Sequence, residues 1–282
     1  MRACWNQVTA GRQPPADPAR DLAAVRAGGW EAVELWLPHW DARFRPDEDA
    51  AARRLLDESG LAVAGACAQE GLFFARGEER RRRQDEFRRR LERCAALGVT
   101  HLVVVPVPHP EAERPGEDDL DRAADNLRAA GALALANGVG LDIEFLRGAR
   151  LVNNLPTALD LARRVDHPGV GVLLDTYHLY AGPSKLEDLD LLEGPAARLR
   201  FVHVNDVPAV RPRELWTDAD RVLPGDGDLP LERMLGAIRR SGYAGDVSLE
   251  LFNAEFAARF DQDPVAASAE AFRRLSGLLE AA

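Results

Sequence analysis

Four polar side chains in this sequence interrupt or close runs of otherwise apolar residues. Glu144 ends the strand-like "LDIE", Asp175 ends "GVLLD", His203 lies within "FVHVND" and Glu250 ends "VSLE". Three carboxylates and an imidazole sharing one cavity would repel one another and lose hydration, which raises carboxylate pKa values. A divalent cation resolves that conflict, because it neutralises the carboxylates and leaves coordination positions for substrate oxygens. Oxygen-rich ligation favours Mn²⁺ or Mg²⁺, and the imidazole admits Co²⁺ or Zn²⁺. The expected cofactor is one divalent metal ion held by Glu144, Asp175, His203 and Glu250. Taken singly, each residue has a plainer explanation: a strand carboxylate can pair with a base or face water, and a lone strand histidine is more often a satisfied core residue. The joint pattern favours the metal, since buried charges are paired or metal-bound.

Those residues need elements that bring them together. Apolar runs of strand length begin near residues 2 ("RACWNQV"), 32 ("AVELWL"), 61 ("LAVAGACA"), 101 ("HLVVVPV"), 139 ("VGLDIEFL"), 169 ("GVGVLLD"), 200 ("RFVHVND") and 246 ("DVSLELF"). Rich in Val and Leu and not simply alternating, they suit strands covered on both faces, as in a parallel sheet. Helical patterns lie between them. In "DPARDLAAVRAGG", Asp17 is the expected N-cap, Pro18 the first helical residue and Gly28 the stop. "DLPLERMLGAIRRSG" repeats the scheme from Asp228 to Gly242, and the last helix starts at Asp263 and Pro264.

Strand and helix alternate throughout with no linker or composition break. That predicts one (β/α)₈ barrel domain over residues 1–282, a length consistent with the ~250 residues usual for the fold. A doubly wound open sheet is the alternative, but the glycine-rich turn expected after its first strand is missing. In a barrel the active site lies at the C-terminal ends of the strands. The four residues fall on the fifth to eighth strands, 31, 28 and 47 residues apart (175−144, 203−175, 250−203), about one βα unit each with a longer final loop.

Composition narrows the partners. The net charge of −10, from 36 Lys and Arg against 46 Asp and Glu, disfavours a polyanion, so no nucleic-acid partner is expected. The run "EERRRRQDEFRRRLERC" carries Phe87, Leu91 and Cys94 at helical spacing, with acids among its arginines. It reads as a solvated outer helix laced with ion pairs. "PGDGD" lacks the GK[ST] ending of a phosphate loop. Three cysteines without a CxxC pair fit a reducing compartment. There is no apolar signal core at "MRACWNQV" and no run of ~18 apolar residues, so the expected location is cytoplasmic, without a membrane. "ELWLPHW" puts Glu34 and Trp36 at the end of the second strand and His39 and Trp40 in its loop; Trp36 and Trp40 could wall a sugar pocket or pack beneath the loop. His109, in the proline-rich loop after the fourth strand, is a candidate substrate contact. His101 and His167 precede strands, at the far end of the barrel, and are read as structural.

The segments "LLDTYHLY", "FVHVNDV" and "LPGDGDLPLERMLGAIRRSGYAGDVSLELF" resemble the sugar phosphate isomerase/epimerase, or xylose isomerase-like TIM barrel, family, of the inosose isomerase and ketose 3-epimerase type. The likeness spans roughly the whole chain and is specific from Glu144 onward. It implies a metal held by Glu144, Asp175, His203 and Glu250, with Glu144 and Glu250 as the acid/base pair flanking the substrate carbon. It also implies that His178 touches substrate oxygens and that an arginine beyond the histidine strand does so too. Arg211, Arg213 and Arg221 are candidates, with Arg221 favoured.

The function so implied is isomerisation or epimerisation of a keto sugar or inosose through an enediolate. A metal-dependent lyase similar to 3-dehydroshikimate dehydratase is the nearest alternative. A DNA-repair endonuclease of this fold, which needs more histidines, and a non-catalytic sugar-binding barrel stand behind it. The expected partner is a small polyol or keto sugar, and a homo-oligomer stays open.

Overall fold

A computed structural model describes residues 1–111, 115–194 and 198–281. Among them, eight strands are formed: β1 (Arg2–Asn6), β2 (Ala32–Trp36), β3 (Ala62–Gln69), β4 (His101–Val104), β5 (Gly140–Glu144), β6 (Val170–Asp175), β7 (Leu199–Val204) and β8 (Asp246–Leu249). They close into a barrel in sequence order, each paired in parallel with its neighbours and β8 with β1. The helices are α1 (Pro18–Ala27), α2 (Leu37–Arg43), α3 (Asp49–Ser59), α4 (Gly77–Leu97), α5 (Glu117–Ala136), α6 (Leu155–Val165), α7 (Thr176–Ala181), α8 (Leu231–Arg240), α9 (Ala254–Gln262) and α10 (Pro264–Ala281). This is the (β/α)₈ barrel that the alternation of runs implies.

Local chemistry explains where the helices begin. The Asp17 carboxylate accepts the Arg20 N–H at 3.1 Å, and Pro18 occupies the first turn, where its missing donor costs nothing. Gly28 follows the end of α1 in right-handed conformation; a Cβ there would lie 2.2 Å from Ser268 Oγ, so the glycine admits α10. At the other predicted cap the structure differs. Helix α8 starts at Leu231, flanked by Pro230, and the Asp228 carboxylate instead accepts the Ala209 N–H at 2.7 Å. Pro230, at φ −76° and ψ 60°, is the residue that flanks the helix, so the helix begins three residues after Asp228 and its carboxylate is no cap.

The core is layered. Inside the barrel, small residues of the first four strands (Cys4, Ala32, Ala64, Cys67, Val103) make room for Leu173 and Phe201. Outside, Trp5, Trp30, Leu35, Leu141, Leu174 and Val247 pack the sheet against the helices. Each such fully buried side chain contributes about 1.5–3 kcal/mol. Helix α4 lies on the outside as anticipated: Phe87, Leu91 and Cys94 are buried, and Arg82 pairs with Glu79 and Glu86 along its exposed face. Among the described residues no helix is long and apolar enough to cross a membrane.

Candidate active site

Parallel pairing carries the predicted residues to one rim. Glu144 and Asp175 are the last residues of β5 and β6, and His203 stands opposite Asp175 in the β6–β7 register. Glu250 follows the last residue of β8, with its N–H donated to the Val204 carbonyl at 3.1 Å. All four are buried, and one ligand atom from each lies within 4.8 Å of the others. His203 Nδ1 is 3.5 Å from Glu144 Oε1 and 3.4 Å from Glu250 Oε2.

Whether these residues suit a cation is decided by that nitrogen. His203 Nδ1 is fully buried with no hydrogen-bond partner, while Nε2 on the other side of the ring is occupied by Glu34 at 3.0 Å. A buried polar atom left unpaired is costly. Here it is aimed among three carboxylates, a donor set of oxygens and one imidazole nitrogen that matches a divalent ion.

Three neighbours orient the carboxylates. Asp175 Oδ1 accepts the His178 N–H at 2.7 Å, capping α7, and Oδ2 accepts the Asn205 amide at 3.0 Å. Arg221, itself 1% exposed, donates Nη1 to Glu250 Oε2 at 2.6 Å and to Asp175 Oδ2 at 3.1 Å, and its Nη2 reaches Asp218 at 2.7 Å. Burial pushes Glu144 up to about 7, with Glu250 and Asp175 adding to the rise against the opposing pull of His203. Burial acts on Glu250 in the same direction, but the charges of His203 and Arg221 prevail and hold it at about 2. His178 is lowered to about 4, chiefly by burial, and so is neutral near pH 7.

Above the four residues opens a cavity of about 610 Å³, with Glu144, Glu250, His178, Arg221, Trp36 and His109 in its wall. The remaining candidates lie elsewhere. Trp40 is buried under the rim, donating its indole N–H to Gln7 at 2.6 Å and stacking on Phe44, so of the two tryptophans it is the packing one. Arg211 pairs with Asp220 at the surface, and Arg213 donates to the Tyr180 carbonyl. His101 begins β4 against Asp142 at 2.8 Å, and His167 Nδ1 accepts the Gly169 N–H at 3.1 Å.

Several residues at the site were given no role by the sequence reading. Glu34 is the clearest: a carboxylate inside "AVELWL" is the same signal that drew attention to Glu144, and applying it to the second strand finds it. Asn6 closes the first strand in the same way, and Cys67 lies within the third, two residues before its end. Arg147 and Asn205 carry no such mark. Arg147 donates to the Tyr177 hydroxyl at 3.0 Å and to the Trp216 carbonyl at 2.6 Å, contacts that only folding creates.

The family described as xylose isomerase-like TIM barrel matches residues 22–276. Inosose isomerase of Bacillus licheniformis is 27% identical over 259 residues, covering 91% of this chain and 91% of its own. 3-Dehydroshikimate dehydratase of Pseudomonas putida is 29% identical over 241 residues, 84% of this chain, and the match spans only 36% of that protein's length. Among solved structures, the IolI protein with a zinc atom bound superposes with a TM-score of 0.80 at 25% identity, over 99% of this chain and 98% of that one.

Proposed function

This chain belongs to the xylose isomerase-like TIM barrel family, and from that premise we propose that it is a divalent-metal-dependent isomerase or epimerase of a keto sugar or inosose. The carrying observation is the convergence of Glu144, Asp175, His203 and Glu250 around the unpartnered His203 Nδ1 at the floor of the cavity. These four residues would hold the ion, as Mn²⁺, Mg²⁺, Co²⁺ or Zn²⁺. The relatives named inosose isomerase and the zinc-bound neighbour support this reading.

When bound, a divalent cation polarises a carbonyl and stabilises the negative charge that develops on its oxygen. The proton transfers belong to the protein. Glu144 on β5 and Glu250 after β8 stand on either side of β6 and β7, so a substrate carbon over those strands has one carboxylate to each side. One takes the proton next to the carbonyl; the C–H electron pair forms a carbon–carbon double bond as the carbonyl π pair moves to oxygen, giving an enediolate. Return of a proton to the neighbouring carbon isomerises the substrate; return to the opposite face of the same carbon epimerises it. Arg221 holds Glu250 and Asp175 in register, neutral His178 lines the wall with its ring nitrogens against the Arg147 N–H at 3.3 Å and Arg221 Nη2 at 3.2 Å, and Trp36 and His109 close the walls.

A second reading is favoured by one observation. Arg147 and Arg12 line the cavity, the first held by the Tyr177 hydroxyl and backbone carbonyls and the second lying 4.2 Å over the Phe252 ring. Such cations suit a substrate bearing a carboxylate, as dehydroshikimate does. Enolisation followed by loss of water would then make the chain a dehydratase. Incubation with ketoses, inososes and dehydroshikimate separates the two, since only the last yields a conjugated, absorbing product.

The test of the common chemistry is Glu250→Gln assayed with Mn²⁺. The fold should persist and turnover should fall about 10³-fold. A variant as active as the parent sinks the acid/base assignment.

A further inference from the structure

Behind the Nε2 edge of His203 lies a second polar cluster, joined to the first by Asn6, whose amide also reaches Glu250 Oε1 at 3.4 Å. Glu34 of β2 is fully buried, and both of its oxygens stand 3.0 Å from His203 Nε2. Oε2 also accepts from the Ser248 hydroxyl at 2.6 Å and the Asn6 amide at 2.9 Å, and Oε1 accepts from the Cys67 thiol. The strand registers build this arrangement, because Asn6 lies opposite Glu34 and Ser248 opposite His203. A buried carboxylate with four donors is satisfied as an anion and locked in place, since any rotation would orphan one of them.

We propose, on the metal-site reading given under the proposed function, that Glu34 is a positioning residue. Its carboxylate accepts the Nε2–H of His203 and so holds the imidazole in the tautomer and orientation that present a bare Nδ1 to Glu144, Asp175 and Glu250. An ion at Nδ1 would take the place of the proton that charges the ring in its absence; the imidazole is then neutral with a single N–H, and the Glu34 anion keeps that proton at Nε2 and makes the Nδ1 lone pair more basic.

Glu34, Cys67 and His203 also lie close enough together to suggest ligands of a second ion. The geometry opposes that. Cys67 Sγ is 2.5 Å from Glu34 Oε1, whereas a tetrahedral ion would hold sulfur and oxygen about 3.5 Å apart. The Glu34 oxygens are moreover already engaged by Ser248 and Asn6.

The experiment is zinc uptake by the full chain, titrated against a chromophoric chelator, for the parent and Glu34→Gln, with circular dichroism as the check of folding. Both should take up one equivalent, and the variant should bind about 10–100-fold more weakly. With Co²⁺ in place of zinc, the visible spectrum of the variant should shift as the imidazole reorients.

Affinity within about threefold of the parent and an unchanged spectrum would overturn the positioning role. Two equivalents in the parent and one in the variant would overturn it as well, by making Glu34 a ligand. Should the Gln variant not fold, Glu34→Asp, which keeps the charge but withdraws it by one methylene, answers to the same criteria. A parent that binds no ion removes the reading of the site and this inference together. A parent that binds one ion, with a variant that binds it equally well, removes this inference alone.

Discussion

Asp142 and Glu144 stand two residues apart on β5, hence on the same inward face, yet they sit in opposite electrostatic situations. Asp142, fully buried near the N-terminal rim, accepts Arg200 Nε at 2.9 Å on one oxygen and faces His101 Nδ1 at 2.8 Å with the other. Room for Arg200 is built into the backbone: a Cβ on Gly140 or Gly171 would come within 2.0 or 2.2 Å of its side chain. Glu144, also buried, shares its surroundings with Asp175 and Glu250, and its nearest cationic neighbour, His203 Nδ1, is 3.5 Å away. A buried carboxylate matched by its own cations is part of the framework. One crowded by other carboxylates weakens the framework and is kept for something that binds there.

Substitutions two residues apart should therefore do opposite things. The largest effect is on turnover. Glu144→Gln should lower kcat/KM about 10³-fold, roughly 4 kcal/mol of barrier, while Asp142→Asn should stay within about fivefold at 25 °C. Equal losses would erase the distinction.

Stability should move the other way. In urea unfolding of the metal-free protein at pH 8, Asp142→Asn should cost about 2 kcal/mol. That is less than for a wholly buried pair, because Arg200 is partly exposed. Glu144→Gln should gain about 2 kcal/mol. The folded-state pKa of Glu144 lies near 7, above the ordinary 4.5, so its ionised form is penalised at pH 8. The gain should fade as pH falls through 7 and vanish below about 4.5.

A last effect, of similar size, concerns His178, whose folded-state pKa of about 4 lies below the ordinary 6.5. Between those values the unfolded chain binds the extra proton. The parent should then lose stability relative to His178→Gln as pH drops from 6.5 to 4, by on the order of 2 kcal/mol. Parallel curves for the two proteins would mean that His178 is charged in the fold.

Much of this architecture was legible without coordinates. The Val- and Leu-rich runs mark all eight strands, and Asp17–Pro18 marks the start of α1, because apolar period and capping act between residues close in the chain. The same locality made Asp228 misleading: its side chain looked like a cap, but Pro230 flanks the helix, which begins three residues after Asp228. Trp36 and Trp40 were indistinguishable as sequence. Folding turned one toward the cavity and sent the other to Gln7.

By itself, then, the sequence determined the order of elements and which strands would end in groups able to ionise, since burial and periodicity are written in near neighbours. Only the tertiary structure decided which of those groups are matched and which are left wanting. Glu34 meets His203 across 169 residues and Arg221 meets Asp175 across 46. A charge chooses its partner through space, and closing the barrel is what sets that distance.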